Sequence, residues 1–143
     1  MEVFGLDAKL YYKEGGQGGG GSWNELDNAK DVTTSVEKEM ADLTTRKAKG
    51  WRQQRGKLKN ATVDWEMVWD DEDPGFTAIK SAFFGDAIIG LQVLSGPLAE
   101  GGQGLQGDFE ITKFTRNEPL AEGLTVSVSA VPAYADPPPA WVP

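Results

Sequence analysis

The sequence predicts a mainly β chain, a β-sandwich or open barrel with one flanking α-helix. Three observations carry that expectation. Apolar and polar residues alternate with period two in five separate stretches and a sixth is a short apolar run, whereas a single stretch shows helical spacing. Turn-forming Gly, Pro, Asn and Asp fall between those stretches. The 143 residues contain no internal repeat and suit one domain.

The first strand signal is residues 6–13, where Leu6, Ala8, Leu10 and Tyr12 alternate with Asp7, Lys9, Tyr11 and Lys13. Residues 14–22 (EGGQGGGGS) have no core-forming side chain and read as a flexible Gly-rich loop tip. Residues 31–39 alternate again, with Val32, Thr34 and Val36 opposite Asp31, Thr33, Ser35, Glu37 and Glu39. Residues 40–56 lack a clean period and read as a long basic loop or loose hairpin, a length usually kept for function. Residues 57–70 give the longest strand, with Ala61, Val63, Trp65, Met67 and Trp69 on one face. Asn60, Thr62, Asp64 and Glu66 share the other.

Asp73 is then a natural N-cap, Pro74 fits the first helical position, and acids favour a helix N-terminus. Phe76, Ile79, Ala82 and Phe83 recur at helical spacing, which predicts a helix over 74–84 closed by Gly85. Residues 87–94, 108–115 and 124–131 are three more strands. Residues 133–143 hold three consecutive prolines and Trp141. They predict an extended C-terminal arm beyond a 1–132 domain, one that cannot enter a sheet interior.

The chain has no Cys and no His. That excludes disulfides, a thiolate nucleophile, iron–sulfur and zinc-finger sites, and a Ser-His-Asp triad. Any metal would be a hard ion on carboxylates. Residues 1–10 show no leader-like pattern and no apolar run is long enough to span a membrane, so a soluble, non-enzymatic chain without cofactor is expected.

The net charge of −8 is unevenly placed. Residues 1–45 carry nine acids and four bases, and residues 60–143 carry thirteen acids and three bases. Between them, residues 46–59 carry seven bases (Arg46, Lys47, Lys49, Arg52, Arg55, Lys57, Lys59) and no acid. A solvated loop is the plain reading of such a run. Nucleic-acid binding would need a broad basic face, which a chain of pI near 4.5 lacks. A third reading fits better, in which the basic loop of one copy meets acidic surface on another. Complementary patches of that kind make head-to-tail contacts that build rings or filaments. Trp51, an apolar anchor inside the charged loop, suits an interface centre.

Several motifs have simpler readings. Residues 102–107 match G-x-G-x-x-G, but a strand pattern follows where a dinucleotide site requires a helix. Residues 70–73 cluster four acids without the alternate spacing of a cation loop, which favours capping over calcium. The pairs Glu37/Glu39 and Asp64/Glu66 lie side by side on one strand face and do not oppose each other across a scissile bond. Trp65 and Trp69 share an apolar strand face and read as core. The polar faces through Glu37, Asp64 and Asp108/Glu110/Thr112 carry acids with no base before Arg116, a surface that would not hold polyanions.

The order of DVTTSVEKE (31–39), the loop from Ala41 through Arg46 to Trp51, TVDWEMVWD (62–70), the helix at 74–84, FEITKF (109–114) and Glu118-Pro119-Leu120 resembles the tail tube proteins of long-tailed bacteriophages. The resemblance spans most of residues 5–132. It implies hexameric rings that stack into a hollow tube, with inner strands of all copies joined in one β-barrel around a lumen for DNA. It implies that Glu37, Glu39, Asp64 and Glu66 face the lumen. Arg46, Lys47, Lys49, Trp51, Arg52 and Arg55 would lie in the inter-ring loop. Apart from the resemblance, the Pro-rich arm is expected to dock Trp141 onto a neighbour. The resemblance further implies a virion protein made in the host cytoplasm, whose partners are itself and the tail terminator, tail tip and tape measure proteins. DNA would pass without specific binding. Alternatives at this point are the tube of a contractile injection or secretion system and a monomeric β-sandwich module for carbohydrate or calcium. An acid hydrolase built on carboxylates is a further one.

Overall fold

The structure, a computed structural model, describes every residue except Met1, Val3, Gly20, Asp136 and Pro143, and the side chain of Leu98. Its strands are β1 (Lys9–Glu14), β2 (Asn24–Glu25), β3 (Ala29–Asp42), β4 (Gln54–Val68), β5 (Ile89–Leu94), β6 (Gly104–Asn117), β7 (Thr125–Pro132) and β8 (Ala140–Val142). All belong to one antiparallel sheet of order β2-β1-β5-β6-β7-β4-β3, with β8 beside β6. One helix, α1 (Pro74–Phe84), flanks it. The sheet curls round a single core, the open-barrel form of the expected architecture. Leu10, Leu91, Phe109, Val63, Trp65, Met67 and Val128 from both halves meet Phe76 and Ile79 of α1 there.

The helix keeps its expected limits because its signals are local. The Phe76 amide donates to Asp73 Oδ2 at 2.9 Å, Pro74 opens the first turn and Gly85 closes the last. Aromatic contacts dock it on the end of β4 and on β6: Trp69, just after β4, meets Phe76 edge-on at 4.8 Å, and Phe83 stacks on Phe114 of β6 at 5.9 Å. On β4 the odd residues 61–67 are buried and the even ones are not, as period-two burial requires.

Other limits move. Residues 5–7 form a 3-10 turn, so β1 starts only at Lys9. β3 and β4 extend into the segment read as loop, leaving 43–53 as the connection, with Arg55, Lys57 and Lys59 on β4. Cross-strand pairing supplies what periodicity could not show: Met40 pairs with Gly56 and Asp42 with Gln54.

The start of the Gly-rich segment, Gly16 and Gln17, packs down, whereas Gly18, Gly21 and Ser22 are exposed. These two residues lie on the outer face of β5 and β6, where Gly16 and Gly90 allow close approach. A Cβ on Gly90 would come within 2.9 Å of the Gln17 amide. The tail folds back as well, β8 pairing Trp141 with Leu105 and Pro139 covering Gly107. As a short edge strand it avoids the interior, as its prolines require.

Candidate functional site

Strands β6 (its C-terminal half), β7, β4 and β3 form a four-stranded section whose outer face is polar. Register places Asp64 opposite Ser129 and Thr33, Glu66 opposite Ser127 and Lys30, and Glu37 opposite Asn60. Lys113 and Thr115 of β6 pair with Ser129 and Ser127 on that face, and Glu110 pairs with Val131. Asp64 is oriented by a hydrogen bond donated by the Ser129 hydroxyl. Glu37, Asp64 and Glu66 thus lie on one continuous surface. Glu39 sits at the β3–β4 register shift between Lys38 and Met40, and it is exposed.

Three features of this face differ from the sequence reading. Lys30 and Lys113 place bases among the acids, so the surface is acidic on balance but not purely so. Arg116 pairs with Val126 on the opposite face, where its guanidinium lies 5.3 Å from the Trp69 ring and 2.7 Å from Glu118. Asp108 is not on this face at all. Only 6% exposed, it lies beneath the Gly-rich segment and accepts the Gln17 amide at 2.6 Å. A network extends from it: Gln92 donates to Gln106, Gln106 to Gln17 Oε1 at 3.0 Å, and Gln17 to the Pro137 carbonyl at 3.1 Å. Alternation cannot reveal such a partner ninety residues away.

The four-stranded section has two free edges. Among the described residues β3 pairs only with β4, from Ala29 to Asp42 with two register shifts. β6 pairs with β5 through residues 104–109 and with β7 through 109–117, which leaves the β5-side edge of 110–117 open. Long unpaired edges are a template for pairing with another chain.

Beyond β7, which reaches only to Val63, the β3–β4 hairpin projects about 25 Å. Its tip is structured. The Leu43 amide donates to the Gln53 carbonyl at 2.9 Å, and the Gln53 amide donates to Thr44 Oγ1 at 2.9 Å. Asp42 accepts from the Thr44 hydroxyl and amide, which holds its carboxyl below the usual range. Arg46–Ala48 form a 3-10 turn, and Lys49 and Gly50 then take left-handed conformations. This presents Trp51 at 77% exposure, with Leu43 also exposed. Among the described residues none of Arg46, Lys47, Lys49, Arg52 or Arg55 has an ion-pair partner. Trp141 is exposed on β8, apart from this tip.

The acids at 70–73 serve local structure. Asp73 caps α1, and Asp70 Oδ1 accepts the Glu72 amide at 3.1 Å. Among the described residues no group of acids is placed to hold a metal ion, and no helix is long and apolar enough to cross a membrane.

The half-barrel thus has two open strand edges, one polar face and a structured projecting hairpin, features through which a sheet can pair with another chain. The chain belongs to the phage tail tube protein family, whose sequence profile matches residues 5–131. It is therefore a structural tail tube subunit, with its place in the tail of the virion. No curated protein sequence matches it.

Solved structures share the fold. The tail of an empty gene transfer agent particle, refined with C6 symmetry, is 21% identical over 94% of this chain and 96% of that one, with a TM-score of 0.74. A protein of the native gene transfer agent virion is 18% identical over 94% and 96%, with a TM-score of 0.73. The SPP1 tail tube, solved by solid-state NMR and cryo-electron microscopy, is 14% identical over 91% of this chain and 75% of that one, with a TM-score of 0.72.

Proposed function

We propose that six copies close into a ring by joining the two free edges, β3 of one copy to residues 110–117 of β6 in the next. The pair of free edges carries this reading. Along β6-β7-β4-β3 every neighbour is antiparallel, so β3 runs opposite to β6. Rotation about a ring axis preserves each strand's direction along that axis. A neighbour's β6 therefore meets β3 antiparallel, and the alternation continues unbroken round a closed barrel without edges. Six-fold order is supported by the likeness to a tail refined with C6 symmetry.

In that barrel the core face packs outward against α1, and the polar face lines the lumen. Glu37, Glu39, Asp64, Glu66 and Glu110 there outnumber Lys30 and Lys113, so DNA phosphates meet repulsion and the genome passes without binding. Rings stack through the basic hairpin tip (Arg46, Lys47, Lys49, Trp51 and Arg52) with Arg55 beside it on β4, and Trp141 lies at a further contact between subunits. The terminator, tip and tape measure proteins of the tail complete the list of partners.

Negative-stain microscopy of concentrated protein is expected to show rings and tubes. A monomer at every concentration would overturn the reading. Asp64→Lys with Glu66→Lys is expected to give tubes that retain short duplex DNA at low salt and release it at high salt. Tubes that retain none would remove these residues from the lumen.

A further inference from the structure

The β3–β4 hairpin is polarised from end to end. At its tip stand Arg46, Lys47, Lys49 and Arg52, with Trp51 exposed. At its base, about 45 Å away along β3, a groove of about 810 Å³ opens at the mouth of the half-barrel. Leu6, Leu26, Val32 and Val93 line it, together with Asp27 and Asp31. Two bases also line the groove: Lys9, paired with Glu25 at 3.2 Å, and Lys30, whose register position faces Glu66, so acids still outnumber bases there. Among the described residues Asp27 and Asp31 have no ion-pair partner.

We infer that this groove is the receptor for the hairpin tip of a second copy in the adjacent ring. Trp51 enters between Leu6 and Val32, and Arg46 and Lys47 meet Asp27 and Asp31. The inference rests on the tube reading and names the stacking contact within it. Tip and receptor occupy opposite ends of one rigid ribbon, so neither can satisfy the other within a chain. A shift along the ribbon brings them together between chains. Contacts of two different patches related in this way repeat without limit along one direction. The turn at 43–53 is already ordered by its own hydrogen bonds, so little conformational entropy is lost on docking. An exposed Trp entering an apolar groove with charges round it has the composition of an interface hot spot.

The absence of Cys allows a clean test. Tubes of the Trp51→Cys/Val32→Cys double variant, treated with a short bis-maleimide, are expected to give a ladder of covalent multimers that neither single variant gives. Tubes without a ladder would overturn the groove as receptor and leave the tube reading intact. A Cys-free parent that forms no rings or tubes would overturn both.

Charge exchange gives a second arm without cysteines. Arg46→Glu/Lys47→Glu, and separately Asp27→Lys/Asp31→Asn, are expected to lower the pelletable tube fraction about tenfold while rings persist. Asn is chosen at 31 because the backbone there is left-handed, with φ 53°. The combined quadruple variant is expected to recover tubes. Either pair stacking like the parent, or no recovery on combination, would refute the contact.

Discussion

Removing the Asp108 carboxylate is expected to release the Gly-rich segment and the C-terminal tail together while the core survives. Asp108 is 6% exposed and accepts the Gln17 amide at 2.6 Å, with a weaker contact from Gln17 Nε2 at 3.4 Å. A hydrogen bond to a charged acceptor contributes about 1.5–3 kcal/mol, and an orphaned amide adds its own cost. Asp108→Ala is therefore expected to lose about 3 kcal/mol, and the melting temperature to fall by about 10 °C for a chain of this size. Asp108→Asn keeps an acceptor and is expected to lose about 1 kcal/mol.

Gly16→Ala provides the check on mechanism. Its Cβ would stand 2.6 Å from Asp108 Oδ1, at a backbone φ of +91°. It breaks the same contact, so the double variant is expected to cost less than the sum of the singles. The assays are thermal unfolding and amide exchange, with faster exchange at residues 15–19 and 137–142. Full additivity, or exchange that rises equally throughout the sheet, would refute the Asp108 contact as what holds the two segments.

Three further outcomes follow from particular contacts. Asp73→Ala removes the cap on the Phe76 amide and is expected to cost about 1 kcal/mol, read by chemical denaturation, with no loss contradicting the cap. Trp65→Ala empties a large buried site at 3% exposure and is expected to cost about 3–5 kcal/mol, whereas a loss under about 1 kcal/mol would place Trp65 outside the core. The Asp42 carboxyl titrates below the ordinary range because Thr44 donates to its charged form. Its stabilisation of the hairpin tip is present above the ordinary Asp range and is lost as pH falls through the lowered value. Thr44→Val is expected to raise the Asp42 titration midpoint in an NMR titration, and an unchanged midpoint would refute that cause.

Much of the fold was legible where its signals are local. The limits of α1 follow from Asp73, Pro74, the spacing of Phe76, Ile79 and Ala82, and Gly85, all within one short segment. The two faces of β4 were legible because alternate burial repeats along a single strand. β2 and β8 were not, since strands of two or three residues carry no period and exist only through Tyr11 and Leu105 on other strands.

A mainly β chain with one helix, free of thiol and imidazole chemistry, with its charge divided into a basic segment and an acidic remainder, is legible in the residues alone. Those properties are set by residue type and short-range spacing. Tertiary structure alone decided which charges share a surface. It brought Lys30 and Lys113 onto the acidic face, turned Arg116 away from it and hid Asp108 beneath Gln17. It also left β3 and part of β6 without partners and put the basic tip and the groove with Asp27 and Asp31 at opposite ends of one hairpin. Pairing register, bulges and sheet curvature link residues far apart in the chain, and no local pattern encodes those distances.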